Sequence, residues 1–260
     1  MSRANRIVID TDSSEVTVIE GGVERKLQMA DPAAFEAVSK AWLRVGWDAK
    51  HVYTFTWLGR PIIQLPEDLL RIQEVIYAVK PTLIIETGVA HGGSLIFYAG
   101  LFEAMKTSAR VIGIDIEIRL HNRRAIEEHE LFARIQLIEG SSVAPAIVAQ
   151  VKSLVRADDR VMVILDSNHT KAHVLAELEA YAPFVSAGSY IVATDGIMQD
   201  LVGAPRSQPD WSDNNPAAAA DEFAASHPEF EHQDPPFAFN EGSVRSMVTY
   251  WPRAWLRRRA

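Results

Sequence analysis

Acidic side chains end several apolar segments of this sequence, and they are the first candidates for chemistry. Glu86, Asp115, Asp166 and Asp195 each close a short apolar run, and His169 follows three residues after Asp166. A carboxylate in such a place costs free energy unless it faces a cleft and a partner, for example a cation. We therefore predict Asp166 and Asp195 as ligands of a hard cation such as Mg²⁺, which would lower the pKa of a substrate hydroxyl. His169 is the nearest candidate base by sequence.

A purely structural explanation of the same segment stays open on these residues. The run DSNHT (166–170) precedes a predicted helix and looks like capping chemistry. Asp166 would then cap that helix, and His169 would be an ordinary loop histidine. A base is established by geometry, which the sequence alone does not provide.

A second motif is the glycine-rich stretch IIETGVAHGGSL, which joins an apolar run to a helical one. Its spacing, Gly88-x-x-x-Gly92-Gly93, differs from the G-x-G-x-x-G fingerprint of dinucleotide-binding proteins. Backbone N–H groups at a strand-to-helix turn favour an anionic or carboxylate-bearing ligand. The alternative is a tight turn that needs glycine only for its backbone angles.

The acids on either side of this turn favour one ligand. Glu86 could attract an ammonium group while the turn binds a carboxylate, and Asp115 could accept hydrogen bonds from ribose hydroxyls. A nucleoside with an amino-acid end combines these groups, which indicates S-adenosylmethionine. The residues that close the next apolar run, Gly140, Ser141 and Ser142, would then flank the adenine.

The elements that must position these residues alternate along the chain. Apolar runs separated by helical segments are typical of an α/β fold, here a doubly wound, mostly parallel sheet. Ligands of such sheets bind at the carboxyl ends of the strands, where the acids lie. Strands are predicted at 82–86, 110–115, 133–140, 160–166 and 189–195, and helices at 94–106, 121–130, 144–156 and 171–182.

The two ends of the chain are predicted as additions to this sheet. Residues 1–65 are expected to form an N-terminal extension, with a hairpin around Gly21–Gly22 and a helix that ends at Gly46. Residues 66–260 would form the cofactor-binding domain. Within it we expect a lid over 200–215, a helix over 216–226, a final strand over SVRSMVTYW and a solvated basic tail, WLRRR.

Composition excludes several classes of function. The net charge of −8 argues against a nucleic-acid-binding surface. No apolar run reaches the roughly 20 residues that span a bilayer. The sequence contains no cysteine, which agrees with a cytoplasmic location.

The motifs in combination resemble the cephalosporin hydroxylase family, from about Trp57 to Phe230. The residues that carry this resemblance are ETGVAHGGSLIFYA, GIDIEIRLHNR, GSS, LDSNHTKAHVLAELEAYAPFVSAGSYIVATD and NPAAAADEFAASHPEFE. The family has the class I S-adenosylmethionine-dependent methyltransferase fold, and its members include rhamnosyl O-methyltransferases. The resemblance implies that the loop for the methionine end of the cofactor consists of Glu86, Gly88, Ala90, Gly92, Gly93 and Ser94.

The resemblance also implies roles for residues around the acceptor. Asp115 would hold the ribose, and Asp166 and Asp195 would bind the metal. Trp57 and Gln64 would border the substrate pocket, with His169 facing the substrate, and Trp211 and Phe237 are aromatic candidates for stacking on a sugar. Family members commonly carry an acidic pair at the end of the fifth strand, whereas Thr194 precedes Asp195 here. A hydroxyl is a poor substitute for a carboxylate, so Thr194 would be a weak third ligand.

The sequence therefore predicts an enzyme that methylates a small-molecule hydroxyl, with a sugar of the rhamnosyl type as the expected acceptor and assistance from Mg²⁺. Either His169 or Asp195 would take the proton. Two alternatives stay open: an accessory protein that binds the cofactor without turnover, and an NAD-dependent oxidoreductase. A homo-oligomer is also compatible with the N-terminal extension.

Overall fold

The computed structural model of the chain describes residues 6–260. By compactness the chain divides into two units. The first contains the residues up to His51 together with Pro236–Thr249, and the second contains Val52–Pro235 together with Tyr250–Ala260. The first five residues of the predicted extension lie outside the described part of the chain.

The helices and strands follow the predicted alternation. The strands are β1 (Arg6–Asp10), β2 (Glu15–Glu20), β3 (Val23–Gln28), β4 (Thr56–Trp57), β5 (Arg60–Pro61), β6 (Leu83–Thr87), β7 (Arg110–Asp115), β8 (Ile135–Glu139), β9 (Val161–Leu165), β10 (Tyr190–Ala193), β11 (Phe230–His232) and β12 (Trp255–Arg258). The α-helices are α1 (Pro32–Asp48), α2 (Pro66–Val79), α3 (Gly93–Ala104), α4 (Leu120–Glu127), α5 (Pro145–Leu154), α6 (Lys171–Tyr181) and α7 (Pro216–Ser226). Short 3-10 helices lie at His51–Thr54, Phe132–Arg134, Ala182–Phe184 and Gly196–Asp200.

The first unit is a small antiparallel sheet with one helix. Strands β1, β2 and β3 pair in that order, and Asp31 caps α1 by accepting a hydrogen bond from the Ala33 N–H at 2.8 Å. Val16 and Val18 on β2 pack with Ala34 on α1 to form its core. Alternation of buried and partly exposed side chains along β2 is what a strand with one covered face requires.

The second unit contains a seven-stranded sheet in the order β11-β12-β10-β9-β6-β7-β8. Neighbours from β10 to β8 pair in parallel, and β12 pairs antiparallel with both β10 and β11. Strands β6 and β9 are buried along their whole length because helices cover both faces of the sheet. The strand order reverses between β6 and β9, so a ligand crevice is expected at their carboxyl ends.

Two predictions for the carboxyl-terminal region are wrong. The segment SVRSMVTYW (243–251) contains no strand, and the last strand is β12 at the tail. The tail WLRRR is also not simply solvated, because Leu256 is completely buried. Trp255 packs edge-on against Tyr190, with ring centres 5.8 Å apart. The sequence did not indicate this strand because arginines are uncommon in a buried sheet. They are accommodated here because β12 lies near the sheet edge, where Arg258 donates a hydrogen bond to the Val185 carbonyl oxygen at 2.6 Å.

Candidate functional site

Two carboxylates predicted at strand ends and the histidine predicted as a nearby base come together in the structure. Asp166 follows β9, Asp195 follows β10, and His169 lies in the loop between β9 and α6. One nitrogen or oxygen of each lies within 4.8 Å of those of the other two. His169 Nε2 is 3.4 Å from Asp195 Oδ2. The parallel pairing of β9 with β10 produces this proximity, since it brings both carboxyl ends to one edge.

Two neutral side chains hold the carboxyl group of Asp166. Gln64 Nε2 donates to Asp166 Oδ2 at 2.8 Å, and the Thr194 hydroxyl donates to Asp166 Oδ1 at 2.7 Å. Burial raises the pKa of Asp166 to about 7, and the negative charge of Asp195 adds to this rise. His169, Thr194 and Gln64 oppose it. A carboxyl group with such a pKa is costly to keep ionised without a cation.

Asparagine side chains, rather than Asp166, accept the N–H groups at the start of α6 and in the loop before it, which carries His169. Asn168 Oδ1 accepts hydrogen bonds from the Thr170 N–H at 3.0 Å and the Thr170 hydroxyl at 2.9 Å. The Lys171 N–H at the start of α6 donates to Asn214 Oδ1 at 2.8 Å. Asp166 is therefore free of a capping role, and the predicted lid over 200–215 is anchored to α6 at its end.

Asp195 has an unusual backbone conformation. Its φ of 59° and ψ of 24° lie in the left-handed region, which aspartate tolerates better than most residues. The next residue, Gly196, has no room for a side chain, because a Cβ there would lie 2.5 Å from the Pro252 carbonyl oxygen. Burial raises the pKa of Asp195, and His169 opposes this shift. Strained acids of this kind are concentrated at functional sites.

The glycine turn packs directly against the loop that begins at Asp166. A Cβ on Gly88, which has a φ of +93°, would lie 2.0 Å from the Asp166 carbonyl oxygen. A Cβ on Gly93 would lie 2.2 Å from the Pro61 carbonyl oxygen. A cavity of about 40 Å³ is lined by the turn, by residues 61–64 and by Asp166. Glycine is therefore needed here for close approach as well as for backbone angles.

Most N–H groups of the turn already have protein partners. Gly88 N–H donates to the Ile114 carbonyl oxygen at 2.7 Å, while Val89 N–H and Ala90 N–H donate to Asp115 Oδ2 at 2.8 and 3.1 Å. Gly92 N–H donates to the Val89 carbonyl oxygen at 2.7 Å. The donors left for an anionic group are those of the first turn of α3, beginning at Gly93 and Ser94, because a helix leaves its first N–H groups without intrahelical partners.

Asp115, which is predicted to bind the ribose, has a structural role in the turn. Its carboxylate accepts the two turn N–H groups and also the Glu117 N–H at 3.3 Å. A carboxylate offers about four acceptor positions, which leaves room for a ribose hydroxyl. The ribose contact of Asp115 stays a prediction.

Two residues that the sequence did not single out also hold this turn. Arg60 donates to the His91 carbonyl oxygen at 2.6 and 3.0 Å, and Asn122 Nδ2 donates to the Ala90 carbonyl oxygen at 2.9 Å. Asn122 is buried although it lies on α4, where a buried amide is uncommon. These contacts join residues about 30 positions apart in sequence, so no local pattern reveals them.

Glu86 lies completely buried beneath the turn. Its Oε1 accepts a hydrogen bond from the Ser94 hydroxyl, and its Oε2 has no hydrogen-bond partner among residues 6–260. Burial raises the pKa of Glu86 to about 8, and the charge of Asp166 adds to it, while the hydroxyls of Ser94 and Tyr98 lower it. A buried carboxyl group with one oxygen left without a partner suits an ammonium group.

The predicted adenine-flanking residues follow β8. Gly140 N–H donates to the Asp115 carbonyl oxygen at 2.8 Å, which ties the loop to β7. The Ser142 hydroxyl points away from solvent and donates to Glu177 Oε1 at 2.5 Å. Ser141 is only partly buried. Contacts of all three residues with adenine stay predictions.

The predicted aromatic residues belong to different segments of the chain. Trp57 packs edge-on against Phe97 of α3, with ring centres 4.9 Å apart. Trp211 lies in the predicted lid, where its carbonyl oxygen accepts a hydrogen bond from Asn215 Nδ2 at 2.8 Å. Phe237 belongs to the other compact unit. Substrate contacts of Trp57 and Trp211 therefore stay predictions.

Comparison with solved structures shows the fold class. The apo-structure of CmcI aligns with a TM-score of 0.53 and 18% sequence identity, covering 80% of this chain and 77% of CmcI. A CmcI structure with Mg and SAM aligns with a TM-score of 0.52 and 19% identity, covering 80% and 78%. The predicted class I methyltransferase fold, with its seven-stranded and mostly parallel sheet, is confirmed.

Comparison of sequences shows the family. A rhamnosyl O-methyltransferase of Mycobacterium leprae (strain TN) is 32% identical over 154 residues, which is 59% of this chain and 65% of that protein. The chain thus spans slightly less than two thirds of this relative. Among the described residues, no helix is long and apolar enough to cross a membrane. Residues 49–259 match the family described as Rhamnosyl O-methyltransferase/CmcI, and the chain belongs to this family.

Proposed function

We propose that this protein is an O-methyltransferase that transfers the methyl group of S-adenosylmethionine to a hydroxyl group of a sugar. The observation that carries this proposal is the meeting of Asp166, His169 and Asp195 at the carboxyl ends of β9 and β10, directly beside the glycine turn. The expected acceptor, a rhamnosyl sugar, follows from the name of the mycobacterial relative.

The residues around the turn fit the cofactor. The unpaired Oε2 of Glu86 would balance the charge of the ammonium group, and the first turn of α3 would bind the carboxylate. When bound, S-adenosylmethionine supplies an electrophilic methyl group, so the protein has to position the acceptor and remove a proton. Asp115 would orient the ribose with the acceptor position that the turn leaves open.

The residues at the strand ends divide the remaining tasks. Asp166 and Asp195 would hold a divalent cation, because two carboxylate oxygens suit Mg²⁺ better than an imidazole does. That cation, when bound, lowers the pKa of the acceptor hydroxyl. His169 Nε2 would accept the proton, and Asp195 Oδ2, 3.4 Å away, would stabilise the resulting imidazolium. Gln64 and Thr194 keep the Asp166 carboxyl group in one orientation.

The test combines binding with turnover. Calorimetric titrations with S-adenosylmethionine and with NAD, each with and without Mg²⁺, are followed by methyl transfer to a synthetic rhamnoside detected by mass spectrometry. We expect binding of the first ligand only, and a methylated rhamnoside. Asp166→Asn should abolish turnover while cofactor affinity is kept, and Asp158→Asn, which changes an exposed acid, should have no effect.

Three outcomes would contradict parts of this proposal. Binding of NAD in preference to S-adenosylmethionine would favour an oxidoreductase. Binding of S-adenosylmethionine without methyl transfer to any hydroxyl acceptor would favour an accessory protein. Full activity of Asp166→Asn would remove Asp166 from the chemistry.

A further inference from the structure

Helix α6 carries a buried acid on the side that faces the core. Val174, Leu178 and Tyr181 are buried on this helix at helical spacing, and Glu177 lies on the same side with no exposed surface. Positions of this kind are normally apolar, and a fully buried glutamate is rare unless it is paired. None of the steps proposed above uses Glu177.

Glu177 connects two loops at the carboxyl edge of the sheet. Its Oε1 accepts hydrogen bonds from the Ser142 hydroxyl at 2.5 Å and from the Ser167 hydroxyl at 2.6 Å. His173 Nε2 lies 3.3 Å from the same oxygen. Ser142 belongs to the loop after β8, and Ser167 directly follows Asp166 after β9. His173 Nε2 also lies 3.3 Å from the Ser142 hydroxyl and 3.4 Å from the Ser167 hydroxyl, but the shortest links between these loops run through the one Glu177 oxygen.

The arrangement is poorly explained by stability alone. Glu177 Oε2 has no hydrogen-bond partner in the described part of the chain, and an unsatisfied buried oxygen costs free energy. An apolar side chain in such a place often gives equal or greater stability than a buried charge. The Tyr181 hydroxyl already anchors the first loop by donating to the Ser142 carbonyl oxygen at 2.8 Å.

We propose that Glu177 is a positioning residue that couples the loop at Ser142, on the nucleoside side of the site, to the loop at Ser167, on the side of the reacting groups. This inference rests on the proposed function, which places the adenosyl group beside the first loop. With both serines bound to one oxygen, ordering either loop orders the other. Cofactor binding at the first loop then fixes the backbone next to Asp166.

The test is a double-mutant cycle on ligand affinity that requires no acceptor. The Kd of S-adenosylhomocysteine is measured by calorimetry without metal for Ser142→Ala, Ser167→Ala and the double variant. We expect each single change to raise the Kd about three- to tenfold, since only part of the free energy of a hydrogen bond to a carboxylate is transmitted to ligand binding. The double change should raise it by less than the product of the two, because either loss already releases the link.

Further variants separate positioning from folding. Glu177→Gln keeps an oxygen that accepts both hydroxyls and should bind nearly as the wild type, whereas Glu177→Leu should match the double serine variant. Ser153→Ala, on α5, removes a hydroxyl that donates to the Gln150 carbonyl oxygen within the same helix, and it should change nothing. Thermal unfolding midpoints are recorded for every variant, and if Glu177→Leu does not fold, the serine cycle and Glu177→Gln still decide.

Each result that would contradict the coupling role of Glu177 can be told apart from the others. Unchanged Kd values with lowered midpoints would make the network purely structural. Multiplicative effects of the two serine changes would mean that the loops act independently. If the wild type itself bound neither S-adenosylmethionine nor S-adenosylhomocysteine, the proposed function would fail first.

Discussion

At the scale of residues, the orientation of one carboxyl group depends on a hydroxyl at a position where the resemblance implied an acid. Thr194 is fully buried, and its hydroxyl lies 2.7 Å from Asp166 Oδ1 and 2.9 Å from the Leu165 carbonyl oxygen. Both of these partners are acceptors, so the single hydroxyl proton is shared between them, and the shorter contact is the one with Asp166. We therefore infer that Thr194 positions Asp166, and its role as a third metal ligand, which the resemblance implied, stays a prediction.

Replacing Thr194 tests this inference. Thr194→Val keeps the shape of the side chain but removes the hydrogen bond to Asp166, so we expect the rate of methyl transfer to fall about tenfold or more. The Kd for S-adenosylmethionine should stay unchanged, because the Thr194 hydroxyl bonds Asp166 and the Leu165 carbonyl oxygen rather than a residue predicted to bind the cofactor. Thr194→Ser, which keeps the hydroxyl, should retain most of the rate. Wild-type turnover in Thr194→Val would show that the hydroxyl is dispensable.

At the scale of elements, the site depends on how closely the turn between β6 and α3 approaches the end of β9. The Asp166 N–H donates to the Thr87 carbonyl oxygen at 2.8 Å, and Gly88 lies against the Asp166 carbonyl oxygen. The two halves of the site, one for the cofactor and one for the reacting groups, are thus in direct backbone contact. A displacement of either element would be transmitted to the other.

Gly88→Ala tests this contact. The added methyl group would meet the Asp166 carbonyl oxygen at 2.0 Å, and the left-handed backbone adds strain, so we expect a loss of about 3 kcal/mol of unfolding free energy. Cofactor binding should weaken in parallel. Gly59→Ala is a matched control, since Gly59 also has a positive φ of +83°. Among the described residues, no atom lies within 4 Å of the place that its methyl group would take. This variant should therefore lose only about 1 kcal/mol of unfolding free energy. Equal losses in both variants would mean that backbone strain alone matters.

At the scale of the whole molecule, a network of stabilising hydrogen bonds lies at the amino ends of the parallel strands, and the candidate site lies at their carboxyl ends. Asp159 precedes β9 and accepts hydrogen bonds from Arg110 at 2.7 and 2.8 Å, from Thr82 at 2.8 Å and from the Arg156 N–H at 2.7 Å. These residues lie where β6, β7 and β9 begin, whereas the candidate site lies where the strands end. Burial alone would raise the pKa of Asp159, but these bonds outweigh it and lower the pKa to about 2.

This shift gives a prediction for stability at low pH. Because the pKa of Asp159 is lower in the folded state than its ordinary value of 3.8, the stabilisation is present above about pH 4 and is lost as the pH falls towards 2. Asp159→Asn should cost about 2 kcal/mol at pH 7 and flatten the acid limb of the stability profile, measured by urea unfolding. Cofactor affinity at pH 7 should be unchanged, and a weakened affinity would show that the two ends of the strands are not independent.

Much of the architecture was determined by the sequence itself. Apolar runs such as VMVIL in β9 specify strands buried on both faces, and their alternation with helices specifies a parallel sheet. Parallel pairing then requires the strand-end acids to share one edge, so the proximity of Asp166 and Asp195 was predictable. The tail strand β12 was not, because its arginines mask a strand in which Trp255 and Leu256 are both buried, one on each face of the sheet.

Only the tertiary structure decided what each polar group contacts. The contacts of Gln64 and Thr194 with Asp166 span 102 and 28 residues, and those of Arg60 and Asn122 with the turn span 31 and 32. Ser142, predicted to flank the adenine, donates its hydroxyl to Glu177, 35 residues further along. A hydrogen bond depends on direction and on distances of a few ångströms, and these are set by the packing of α6 and the loops against the sheet rather than by periodicity along the chain.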